Sequence, residues 1–306
     1  MTVAPATHHE PMTRAAWLLF AAMSVIWGIP YLFIKIAVGE LSPAAVAGSR
    51  TLLAALVLIP LAARQGVLRP AARAWRWVAA FGLLEMAGPW LLLGHAETRV
   101  SSGFAGLMIA TVPVVGVLVA RLRGDPHAFA RVRLLGLGVG VLGVVCLVGL
   151  DSLAGHLDPL SILELLLVAI GYAVAPVIAS TRLAGVPSLG VIACAIAGVA
   201  VLYLPWTVTE LAGGLPSTDV VVSIVVLGLL CTAVAFVLFF QLIAEAGPVR
   251  ATVFTFLNPA VAIALGILVL GEPLTVGTLV GFPLVLLGAY WATRPIDAAV
   301  GADSRS

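Results

Sequence analysis

The chain has 306 residues, 62% hydrophobic and only 10% charged, where a soluble domain carries roughly 25% charged residues. With a mean hydropathy of +1.17, this composition excludes the water-soluble classes. Lys and Arg number 16 against 14 Asp and Glu, and a net charge of +2 gives no electrostatic footprint for a nucleic-acid partner.

The tail, residues 1–14, carries His8, His9 and Glu10 without a cleavage-site pattern. The apolar run after it is too long for a signal h-region and reads as a retained first span. A membrane-crossing helix needs about 20 mostly apolar residues. Runs that qualify begin near Ala15, Pro43, Trp77, Gly103 and Arg133, then near Ser161, Ser188, Val220, Thr252 and Thr275. Short segments with Gly, Pro or charges separate them. The expected fold is an all-α membrane protein of ten transmembrane helices embedded in the lipid bilayer, since no globular core accommodates ten helices that are apolar all round. The units are the tail 1–14, spans one to five over 15–150, spans six to ten over 161–294, and a second tail, 295–306.

Arginines set the orientation, because positively charged loops stay in the cytoplasm. With the N-terminus inside, the cytoplasmic segments collect Arg14, Arg64, Arg69, Arg73, Arg76, Arg121, Arg123, Arg131, Arg133, Arg182, Arg250, Arg294 and Arg305, which is 13 of the 16 basic residues. Arg99 is left outside, and Lys35 and Arg50 fall within spans. Both termini are then cytoplasmic, and the expected location is the plasma membrane, in a bacterium the inner membrane.

The chain also repeats itself. Pro30, Pro113, Gly124-Asp125-Pro126 and Gly143 recur as Pro176, Pro259, Gly271-Glu272-Pro273 and Gly288, at offsets of 145 to 147 residues. Five spans per unit is an odd number, so the second unit enters the membrane from the opposite face and the repeat is inverted.

Several residues are candidates for a site. Ser24, Trp27, Gly28, Tyr31 and Lys35 share one face of the first span, either toward a cavity or packed on neighbouring helices with Lys35 snorkelling to the headgroups. Pro30 and its mate Pro176 predict bends. Arg50 lies about seven residues into the second span, roughly 10 Å deep, where a charge must face a cavity or a partner. Lys35 and Arg50 either hold a substrate carboxylate or serve an ion pair joining helices. Glu85, near mid-span in the third span with Cys231 as its repeat mate, either binds a proton or a substrate ammonium, or stands in an ion pair with Arg50, or joins helices as a neutral acid. His95 and its mate Gln241 put hydrogen-bonding groups near span ends, to bind substrate or link helices. Tyr172 is the expected counterpart of the Trp27–Tyr31 face. Asn258 precedes Pro259 and is expected to cap backbone groups freed by it.

Gly136, Gly138, Gly140 and Gly143 in the fifth span, and Gly277 and Gly281 in the tenth, give small-residue spacings that fit packing within one chain or a homodimer face. Cys146, Cys194 and Cys231 lie singly in apolar runs and suggest no metal, cofactor or redox function. An intramembrane enzyme is the competing class. It would need paired histidines with a carboxylate at membrane depth, whereas His8 and His9 lie in the tail, His127 and His156 in loops, and His95 alone. A channel would show charge rings or repeated filters.

The run Trp27-Gly28, Lys35, Pro43 and Arg50 resembles the start of an EamA-type domain of the drug/metabolite transporter superfamily. Residues 252–273, TVFTFLNPAVAIALGILVLGEP, resemble that family's ninth-span signature, a Pro-containing helix ending in a Leu-Gly-Glu turn. The resemblance covers about residues 15 to 294 as two tandem units. The first unit departs from it with Arg123-Gly124-Asp125-Pro126 at the turn and a longer basic loop. It implies a ten-helix fold around a central cavity and export of a small-molecule substrate, an amino acid, related metabolite or drug, by alternating access. Protons are the candidate coupling ion, and an uptake permease of the same fold is the alternative direction.

Overall fold

The computed structural model describes residues 13–124, 131–153, 158–246 and 253–292. The tails, Asp125-Pro126, His127, His156, Arg250, Arg294 and Arg305 lie outside the described residues. The described residues form no strand and group into helical segments α1 (Arg14–Ala37), α2 (Pro43–Arg64), α3 (Trp75–Glu97), α4 (Ser102–Leu122), α5 (Arg131–Leu153), α6 (Pro159–Arg182), α7 (Ser188–Ala212), α8 (Thr218–Ala246), α9 (Asn258–Leu270) and α10 (Val276–Ala292). Seven of them, α1 to α4 and α6 to α8, are long and apolar enough to cross a membrane. In α5, α9 and α10 the apolar stretch is shorter, Leu134–Leu147, Asn258–Leu270 and Val276–Trp291. The chain is a multi-pass membrane protein. Leu18, Leu56, Leu135, Val201 and Leu268 point outward, as an apolar solvent requires.

Helices pair in a pattern that is unchanged when α1–α5 are exchanged with α6–α10. The segment α1 packs on α8 and α6 on α3, while α2 lies on α7, α4 on α9 and α5 on α10. One end of the bundle holds the starts of α2, α4, α6, α8 and α10; the other holds Arg64, Arg69, Arg73, Arg76 and Arg182. At this basic end the Arg182 guanidinium lies 4.7 Å from the Trp77 ring centroid, a contact suited to a membrane interface.

The helices break where the sequence withdraws backbone donors. Segment α1 is interrupted at Trp27–Ile29, between Ile26 and Pro30; Gly28 supplies no helix-stabilising side chain and Pro30 no N–H. Gly28 is also needed for contact, since a Cβ there would stand 2.5 Å from Val261 Cβ of α9. Pro176, the mate of Pro30, lies inside one continuous helix, α6, so the helix is interrupted on one side only: α6 has no glycine beside its proline. Pro113 and Pro259 each follow a break, at Ala110–Thr111 and Leu257. Two π-helical segments, Leu83–Ala87 in α3 and Val226–Val234 in α8, occupy matching places in the two halves and hold the repeat mates Glu85 and Cys231.

The glycines of α5 and α10 meet inside the chain. A Cβ on Gly288 would lie 2.3 Å from Gly140 N and 2.7 Å from Gly136 O, and one on Gly281 3.0 Å from Gly143 O, so the two backbones touch. Gly138 faces open space. Gly288→Ala is therefore expected to lower stability by about 1–3 kcal/mol through overpacking and Gly138→Ala to leave it unchanged; thermal melting of the detergent-solubilised variants is the measurement.

Candidate functional site

Arg50 is the deepest cation among the described residues and is 4% exposed. Its Nε and Nη2 donate to Thr232 Oγ1 at 3.3 and 3.1 Å, and its guanidinium carbon stacks 3.8 Å from the Trp90 ring centroid. Thr232 can accept because its own hydroxyl donates five residues back, to Leu227 O at 2.7 Å, the spacing of the π-segment. The sharper bend of α8 thus creates the acceptor for Arg50. Trp90 is delivered by α3 one turn past the other π-segment. Gly171 lets α6 settle on that segment, where a Cβ would stand 2.5 Å from Leu84 O, and this sets Tyr172 beside Trp90 and within electrostatic reach of Glu85 and Arg50.

Of the sequence-predicted residues, Tyr31, Arg50, Glu85 and Tyr172 come together here. Glu85 Oε2 is shielded from solvent and has no hydrogen-bond partner. The standing ion pair between Glu85 and Arg50 does not form; the carboxylates of Asp158 and Glu164 pair with Arg99, and Glu164 also with His95. Arg50 is held instead by Thr232 and Trp90. Glu97, unforeseen from the sequence, is fully buried with both carboxylate oxygens unpartnered; its charged surroundings are Lys35, Glu272 and Arg50, and Tyr31 lies within its field. Lys35 neither snorkels nor projects into the cluster: its Nζ donates to Glu97 O at 2.5 Å and Val100 O at 2.8 Å, satisfying carbonyls at the C-terminus of α3.

The remaining predicted residues lie elsewhere. Trp27 packs at 5.7, 5.1 and 5.4 Å from the rings of Phe236, Phe239 and Phe254. His95 Nδ1 lies 2.5 Å from Glu164 Oε1 and beside Arg99 in a polar knot at the start of α6. Gln241 is exposed in a shallow groove with Ala15, Leu18 and Glu245 between α1 and α8. Asn258 does not cap: Leu257 holds the cap position of α9 and Asn258 Oδ1 is buried without a partner, because Asn258 is already the first residue of the helix.

Carboxylates close the end of the bundle opposite the arginines. Glu272, from the Leu-Gly-Glu turn, accepts from Ser102 N and Ser102 Oγ at 2.8 Å each, capping α4. Glu210 of α7 accepts from Ser42 N at 2.8 Å and from the Ser42 hydroxyl, capping α2. Glu40, after α1, accepts from Ser217 N at 2.8 Å, capping α8. All three bind one half of the molecule to the other. Asp158 caps α6 through Ser161 N at 3.0 Å and receives Arg99 Nε at 2.7 Å. The Ser217 hydrogen bonds hold the Glu40 carboxyl below its ordinary value of 4.5. Burial pushes Asp158 up, but hydrogen bonds from Ser161 and Arg99 outweigh it and leave the carboxyl below its ordinary 3.8.

The EamA-like transporter family model matches this chain twice, over residues 14–149 and 159–294. The chain belongs to the EamA-like transporter family. Among curated relatives, the uncharacterized inner membrane transporter YedA of Escherichia coli K12 is 29% identical over 295 residues, 93% of this chain and 95% of that protein. A probable terminal-alkyne amino-acid exporter of Streptantibioticus cattleyicolor is 28% identical over 287 residues, 92% of this chain and 94% of its own. A solved crystal structure, 22% identical, shares the fold with a TM-score of 0.63, covering 90% of this chain and 96% of that one.

Thr232→Val removes the acceptor for Arg50 at nearly constant volume. It is expected to cost roughly 1–3 kcal/mol, the price of leaving a buried donor unsatisfied, with the loss disappearing in an Arg50→Leu background; a double-mutant cycle of thermal midpoints measures this coupling. At the capped end the sign runs the other way from a cation. Lowered native values for Glu40 and Asp158 mean their contribution is complete above about pH 4.5 and is lost as pH falls through those native values. The stability difference between wild type and Glu40→Gln should therefore be constant at neutral pH and shrink below the ordinary carboxylate value, as read from melting curves against pH.

Proposed function

We propose that this protein is a secondary transporter that exports a small metabolite, an amino acid or related compound, across a bacterial inner membrane by alternating access. The observation that carries the reading is the buried cluster of Arg50, Glu85, Glu97, Tyr31, Tyr172 and Trp90 at the junction of the two halves. It places a cation, two carboxylates and aromatic surface at membrane depth, where unpaired charge is costly and functional. Arg50 gives Nε and Nη2 to Thr232 and keeps the two N–H groups of Nη1 to donate to a carboxylate. The carboxylates of α3 complement an ammonium group, so a zwitterion suits the cluster. The name of the Streptantibioticus relative, an amino-acid exporter, supports the same class.

Alternating access needs two halves of opposite orientation and an end that opens. The exchange symmetry of the helix pairs supports ten spans in two inverted repeats, with both termini and the arginine-bearing end cytoplasmic. The three carboxylate caps that join the halves are then the closed external gate. The breaks in α1 and α4 and the two π-segments are the deformable places. Trp27 flanks the cluster and Lys35 supports it from the end of α3. His95, Gln241 and Asn258 act outside it.

Counterflow in proteoliposomes across the proteinogenic L-amino acids, propargylglycine, nucleobases and cationic dyes tests this. An amino acid should give counterflow, and Arg50→Ala should weaken its apparent affinity about tenfold to a hundredfold, as loss of a charge-assisted contact does. Counterflow of dyes alone overturns the substrate class. Reporter fusions should give cytoplasmic signals after Arg69, Asp125 and Thr293 and external signals after Asp151 and Gly213; an external C-terminus would overturn the inverted repeat.

A further inference from the structure

Glu97 stands apart from the other carboxylates at its end of the bundle. Glu40, Glu210, Glu272 and Asp158 each accept a backbone N–H, and Glu164 holds Arg99 and His95. Glu97 is 0% exposed and neither oxygen has a partner among the described residues. The cations around it are committed, Lys35 to the carbonyls of Glu97 and Val100 and Arg50 to Thr232 and Trp90. The charged and titratable groups facing it are Lys35 and Tyr31 of α1, Arg50 of α2 and Glu272 after α9, with Tyr172 of α6 behind Tyr31. Glu272 belongs to the gate itself, since it caps Ser102 of α4.

An ionised carboxylate in such a place costs several kcal/mol unless a cation neutralises it. From this we infer that Glu97 is an exchange site at which a proton and the ammonium group of the substrate compete, and that the carboxylate gate closes only over a neutralised Glu97. This deepens the export reading of the same cluster and rests on it. In the exchange the protonated acid gives its proton to water on the cytoplasmic side and its carboxylate pairs with the incoming R–NH3+. After the Glu272–Ser102 cap opens, the ammonium leaves outward and a proton from the external water reforms the acid. One proton moves inward for each zwitterion moved outward. A carrier closed at this end with no ammonium on Glu97 carries it as the acid.

Two measurements test this, and one needs no substrate. The purified protein at neutral pH should show a protonated-carboxyl C=O infrared band that is missing in Glu97→Gln and shifted in Glu97→Asp; thermal melting establishes that each variant is folded. A band unchanged in both variants, or absent from the wild type, overturns the proposal. In proteoliposomes with propargylglycine as probe, one-for-one exchange sustains about a tenfold amino-acid gradient per unit of pH difference. Wild type should hold that gradient, whereas Glu97→Gln, which loses the partner of the ammonium along with the titrating group, should show weaker apparent affinity in counterflow and hold no gradient. A Glu97→Gln protein that still holds the gradient overturns the exchange role. Absence of any propargylglycine flux in the wild type counts against the substrate class instead, and the infrared result then decides Glu97 by itself.

Discussion

In hydrocarbon every backbone polar group must be satisfied by the protein itself, because no water is present to do it. Several of the scarce charged residues of this chain are used for that purpose. Glu40, Glu210, Glu272 and Asp158 accept the open N–H groups at the starts of α8, α2, α4 and α6, and Lys35 serves the open carbonyls at the end of α3. Once these and the Arg99–Glu164–His95 knot are set aside, Arg50, Glu85 and Glu97 remain as titratable side chains within the spans that serve no helix terminus. Arg50 links the other two, within electrostatic reach of Glu97 directly and of Glu85 through Tyr172, which stands within reach of both.

The capping carboxylates also break the symmetry of the fold. At an offset of 146 residues the counterparts of Glu40 and Glu210 are Val186 and Arg64, neither of them an acid, while the mate of Glu272 is Asp125, which lies outside the described residues. Two halves with matching helix pairs thus have unequal ends.

The π-segments join the packing to the chemistry. Each widens one helix by a fraction of a turn, and each lies at the same place in its half. In α8 the widening turns the Thr232 hydroxyl to Leu227 O and its lone pair to Arg50. In α3 it brings Leu84 O against Gly171 and leaves Glu85 without a partner. Such insertions recur at functional sites because they reposition side chains without a loop.

Much of this was legible in the residues. The apolar runs required membrane helices, the 146-residue spacing of Pro30 and Pro176 announced two related units, and the cost of burying charge singled out Arg50 and Glu85. The Leu-Gly-Glu turn was visible as a motif. That its glutamate caps α4 in the other half was not, because a cap joins residues 170 positions apart. Glu97 was not singled out from the sequence, since only packing in the tertiary structure buries it. Lys35 and Trp27 share a helical face with Tyr31, and Gln241 is the repeat mate of His95, yet periodicity fixes a face and repeat spacing a position, and neither fixes what stands opposite. Sequence determined which segments leave water and which charges are expensive. Tertiary structure decided which of those charges find a backbone partner, because that depends on helix ends brought together from opposite halves of the chain.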